Sequence, residues 1–141
     1  MRNMILAAMA AVMLAVGGLS AARAQDGDAA AIQTVIQSQI EAFLRDDFAA
    51  AFSFASPAIR EMFGTSDRFG MMVKQGYPMV WRPELVEFLD LREIRGQPWQ
   101  VVLMRDANGA YHTLGYQMLQ GPDGGWKIDG VQILREDEMG A

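Results

Sequence analysis

The sequence has no cysteine, one histidine and only two lysines in 141 residues. Without cysteine there is no disulfide framework, no thiolate metal site and no lipid anchor on a signal-peptide cysteine. One imidazole gives a transition-metal centre little to bind with, and neither a metal nor a cofactor is expected. Cations are scarce, and the formal charge is −5. That balance excludes charge-driven binding to nucleic acid and docking on anionic membranes. There is no arginine pair ahead of the first apolar run, so export as a folded, cofactor-loaded protein is not expected. No internal repeat and no linker is visible, and the length fits one domain.

The first 24 residues read as a removable leader. Met1-Arg2-Asn3 is a short basic start, and Ile5 to Val16 is entirely apolar. Ala22-Arg23-Ala24 places small residues at the −3 and −1 positions of a cleavage site between Ala24 and Gln25, so a secretory signal is expected. The apolar core is short against the roughly 20 residues of a membrane span. Taking Arg2 and Arg23 from the 12 basic residues leaves ten against 17 acidic ones, a mature charge of −7. The expected address is the periplasm or the exterior, with no membrane attachment after cleavage. In that oxidising compartment, packing alone must hold the fold.

Residues 25–141 then read as one domain. Ile32, Val35, Ile36, Ile40, Phe43 and Leu44 recur at three- and four-residue steps, which predicts a helix near Ala29 to Arg45. Asp46-Asp47 can cap a second helix from Phe48 to Ala55. Ser56-Pro57 starts a third, and Gly64 ends it. Thr65-Ser66 opens a fourth, which stops at Gly76. A short extended piece is expected around Val80-Trp81, between two prolines. Four strands follow: Leu85 to Ile94, Trp99 to Arg105, Tyr111 to Gln120 and Trp126 to Leu134. Asn108-Gly109 signals a tight hairpin turn. Glu136-Asp137-Glu138 reads as a solvated tail. Helices followed by consecutive antiparallel strands predict an α+β fold, with N-terminal helices packed on a curved four-stranded sheet.

Four stretches carry a resemblance: DDFAAAFSFASPAIREMFG (46–64), MVKQGYPMVWRP (72–83), FLDLRE (88–93) and GGWKIDGVQIL (124–134). Through them the chain resembles the bacterial domain-of-unknown-function 4864 family, which belongs with nuclear-transport-factor-2-like (cystatin-like) folds. The resemblance implies a bent sheet wrapped round a long first helix, often dimerising through the sheet. It implies no reaction, because that superfamily includes isomerases, dehydratases, transport adaptors and non-catalytic pocket proteins.

Two residues are candidate bases for acid–base chemistry, with a tyrosine as the donor. His112 shares a strand face with Leu114, Tyr116 and Met118 and can act as a base near neutral pH. Its plainer reading is a structural imidazole at a hairpin end. Asp90 interrupts an apolar strand on the face of Val86 and Phe88; in a cavity its pKa would rise and it could abstract a proton beside a carbonyl. Its plainer reading is an ion pair with Arg92 or Arg95. Tyr116 or Tyr77 would supply the hydroxyl. Asp129 is expected to face water, opposite Trp126 and Ile128. The acidic runs lack the spacing of a calcium loop.

Tyr77, Met79, Trp81, Phe88, Met104, Tyr116 and Met118 are candidates to line an apolar site. The expected role is non-catalytic: holding a small apolar molecule or a protein partner. A general acid–base enzyme and a structural homodimer formed through the sheet are the alternatives.

Overall fold

The computed structural model describes the backbone of residues 14–135 and the side chains of residues 27–135. The first half of the expected leader and the acidic tail lie outside the described residues, as do the side chains of Ala24 and Gln25. By contacts the chain divides into Met1–Ala30 and Ala31–Ala141. The second unit holds the features that follow.

Among the described residues five helices precede four strands: α1 Leu14–Leu44, α2 Phe48–Ser53, α3 Pro57–Phe63, α4 Ser66–Gly76, α5 Pro78–Trp81, β1 Leu85–Ile94, β2 Gln97–Arg105, β3 Tyr111–Gln120 and β4 Trp126–Ile133. Side-chain caps start three of the short helices. Asp47 accepts from the Ala50 N–H, Ser56 from Ile59 and Thr65 from Arg68, satisfying donors that have no partner inside a first turn. Gly64, at φ 78°, closes α3.

Several element ends differ from the sequence reading by one or two residues, as at β2, which starts at Gln97 rather than Trp99, and two differences are larger. α1 begins at Leu14 rather than near Ala29, because the preceding Ala- and Leu-rich stretch has high helix propensity that Asp26-Gly27-Asp28 does not break. The piece expected to be extended at Val80-Trp81 is the helical turn α5. Pro78 sits in its first turn, where its missing N–H costs nothing.

The strands form one open antiparallel sheet in the order β1-β2-β3-β4. The architecture is therefore α+β, with helices packed on a four-stranded sheet. The two-residue hairpin turn lies at Arg95-Gly96, where both residues take positive φ (53° and 81°). At Asn108-Gly109, only Gly109 does. There Asp106 accepts from the N–H groups of Asn108 and Ala110, which builds a longer loop from an aspartate side chain.

The core joins Ile32, Ile36, Ile40 and Phe43 of α1 to Val102, Met104, Leu114, Tyr116, Met118 and Ile128 on one sheet face. The ten are at most 4% exposed, and burial of each large apolar side chain is worth about 1.5–3 kcal/mol. Two bulges break the alternation. Leu89 and Asp90 together oppose one residue of β2, and Asp129 is an extra residue between Ile128 and Gly130.

Candidate functional site

An apolar cavity of about 220 Å³ lies among α1, α3, α4, α5 and β4. Gln39 and Phe43 reach it from α1, Ile59, Met62 and Phe63 from α3, Phe69, Met72 and Val73 from α4, and Val80 from α5. Tyr77, Ala55 and the β4 segment Ile128, Gly130 and Val131 complete the wall. Phe69 anchors the aromatic side. Its ring lies 5.9 Å from Phe43, 5.2 Å from Phe52 and 5.7 Å from Phe63. Met62, at 71% exposed, stands at the opening.

Local sequence chemistry builds this enclosure. Ser56 is fully buried. Its hydroxyl accepts from the Ile59 N–H and donates to Asp129 Oδ1 at 2.7 Å. The bulge turns Asp129 toward Ser56, which overturns the expectation that it faces water: one extra residue shifts the period-two pattern. The Ser56 N–H donates to the Ile128 carbonyl, and the Ile128 N–H donates to Phe54. These bonds lay residues 54–56 against the β4 edge and fix the start of α3 beside it.

The wall is chemically quiet. Among the described residues it contains no carboxylate, imidazole, amine or guanidinium. Its polar side chains are already engaged. Gln39 Nε2 donates to the Ala51 carbonyl at 3.1 Å, and the Tyr77 hydroxyl donates to the Val131 carbonyl at 3.2 Å. A polar guest would find few free donors, whereas an apolar one loses water-exposed surface at no hydrogen-bonding cost.

The sequence-derived candidates are dispersed. Of the seven apolar ones, Tyr77 lines the cavity. Met104, Tyr116 and Met118 are wholly buried in the sheet-facing core, and Met79 is nearly so. Trp81 and Phe88 are half-buried and pack against that core. The acid–base candidates do not meet. Asp90 sits on the β1 bulge, its side chain 56% exposed, 2.6 Å from Arg92 Nε. That hydrogen bond holds its carboxyl below the usual carboxylate range, opposite to what a carboxylate base in an apolar cavity needs. His112 Nε2 lies 2.8 Å from Asp106 Oδ2 at the hairpin end. Tyr116 is completely buried with no partner for its hydroxyl, and burial pushes that phenol well above its ordinary value.

Most of the wall comes from residues that periodicity marks only as core. One signal was available: Met62 and Phe63 on α3, and Phe69, Met71 and Met72 on α4, are more large apolar residues than two short helices can bury. Met62 and Met71 are accordingly 71% and 59% exposed. No group of three or more His, Asp or Glu among the described residues is arranged to hold a metal ion, and no described helix is long and apolar enough to cross a membrane.

No curated protein and no solved structure matches the chain. One family model does, described as a domain of unknown function, DUF4864, and it covers residues 25–141. The chain thus belongs to the DUF4864 family.

Proposed function

We propose that this is an exported, non-catalytic domain that holds a small apolar group in the cavity between its helices and β4. The observation that carries this reading is a cavity wall without any acid or base stronger than a phenol. Size narrows the guest. An apolar cavity of about 150 Å³ takes benzene, and ordinary small-molecule sites run from about 300 to 1,000 Å³. A space of about 220 Å³ suits an indole-sized group or one large side chain. Titrating methyl-labelled protein with indole tests it. The methyl signals of Met62 and Met72 should shift while those of Met104 and Met118 stay fixed. No shift at millimolar indole, or shifts spread evenly over all four, would end this reading.

Export is supported by the leader pattern and by a family match that begins at Gln25. Protein recovered from the exported fraction should begin at Gln25, as read by intact mass. The helices-then-meander order is also that of nuclear-transport-factor-2-like folds, a superfamily that includes pocket proteins.

A second reading, a homodimer through the sheet, draws on the face turned away from the helices. Ile94, Tyr111 and Leu119 are exposed there. A depression bounded by Trp99, Val101 and Leu134 lies among them. The acid–base alternative has no comparable support, because Asp90 and His112 are engaged with surface partners.

A further inference from the structure

Resting on the pocket reading and extending it, we propose that the β4 edge from Val131 to Ile133 pairs with an extended segment of another protein, one large apolar side chain of which enters the cavity. The backbone directions carry the first half. The Leu134 N–H donates to Thr113 on β3. In an antiparallel ladder alternate residues turn their N–H and C=O groups to opposite sides, so Val131 and Ile133 present theirs away from β3. The Tyr77 hydroxyl on the Val131 carbonyl shows that direction independently and takes that acceptor, which leaves the Val131 N–H and the Ile133 N–H and C=O to an incoming segment. Ile133 is 42% exposed.

The same edge already accepts added backbone. Residues 54–56 bond to Ile128 in parallel fashion, then Pro57 turns the chain away into α3. An incoming segment would extend an interface the fold has begun. Main-chain bonds at an edge supply affinity, and a pocket beside the edge supplies choice of side chain. The cavity is adjacent, because Val131 lies on its wall, and its volume of about 220 Å³ admits one large side chain.

Charge describes the segment further. A ledge of Arg68, Met71, Met72 and Gln75 adjoins the cavity through Met72. Arg68 makes no ion pair with a described residue. A segment with an acidic residue near its apolar anchor would complement that cation, and methionines adapt to varied apolar shapes.

Random displayed peptides panned against the full chain provide the test. Selected peptides should carry one large apolar residue near an acidic one and should protect the Val131 and Ile133 amides from hydrogen exchange. Ile133→Pro removes an edge N–H without breaking a β3 bond, a placement edge strands tolerate. It should weaken those peptides by about tenfold or more, as loss of a made hydrogen bond does, while indole still shifts Met62 and Met72. Indole shifts without any selected peptide, or peptides that ignore Ile133→Pro and leave both amides unprotected, would overturn this inference and spare the pocket. Loss of both signals removes both. Protection of the same amides without peptide, in a species of twice the chain mass, would make a second copy the occupant and refute the proposal.

Discussion

Tyr116 shows how one side chain can carry a cost that the rest of the core absorbs. Its hydroxyl is buried without a partner, opposite Gln100 on β2. The Gln100 amide nitrogen is committed to the carbonyls of Leu89, Asp90 and Val101. An unpaired buried hydroxyl costs about 1–3 kcal/mol, so Tyr116→Phe should raise the urea midpoint. A drop would show that the hydroxyl is satisfied. The raised phenol value also has a sign. Above its ordinary pKa of 10.0 the unfolded chain gives up the Tyr116 proton and the folded chain keeps it. Stability is therefore full below that pH and falls as pH rises, and the fall should be shallower in Tyr116→Phe. Asp106 works in the opposite direction. His112 and the Ala110 and Asn108 N–H groups lower its pKa from 3.8. Its contribution is present above that pH and is lost as pH falls through the folded value. Asp106→Asn should be less stable than the parent at neutral pH, and the gap should close on acidification. A pH-independent gap would rule out the ionic origin.

Among elements, the contact between α2 and α4 depends on one glycine. A Cβ on Gly70 would stand 2.6 Å from Phe48 Cδ1 and 2.9 Å from Cγ. Alanine would gain about 1 kcal/mol of helix propensity. Forcing the Phe48 ring away costs about 1–3 kcal/mol and disturbs Lys74, whose ammonium lies 4.8 Å from the ring centre. Gly70→Ala should therefore be destabilising by denaturant titration despite its helical position; a stabilised variant would mean that Phe48 moves freely. The same scale explains where alternation misled. Period two places Asp90 with Phe88 and Asp129 away from its neighbours' partners. Bulges at both sites shift the count by one, exposing Asp90 and turning Asp129 to Ser56. Composition offers no clear mark of a bulge without a glycine at its first position.

At the scale of the whole molecule, the sheet turns a partly apolar face away from the helices, with Ile94, Tyr111 and Leu119 exposed on it. A Cβ on Gly115 would stand 3.0 Å from the Trp99 ring and 3.5 Å from Leu134, so the missing side chain is what lets both pack there. If this face pairs with a second copy, sedimentation of the exported protein should give twice the chain mass, and Tyr111→Asp should return it to one. A single-chain mass for the parent at high concentration would dismiss the homodimer.

Local chemistry alone determined a good deal. Caps at Asp47, Ser56 and Thr65 and the stop at Gly64 report the backbone within a few residues, so the starts of α2, α3 and α4 were readable from them; alternation and turn residues gave the four strands and hence the α+β class, while the start of α1 and the turn α5 were missed. The cavity was not readable. Whether Phe69 fills space or borders it depends on how far α3 and α4 stand from β4. That spacing is decided by the Ser56–Asp129 bond, 73 residues apart in sequence, and by the bulge that permits it. Periodicity records which face of an element is apolar; only the packed chain decides which apolar faces meet and which leave a gap.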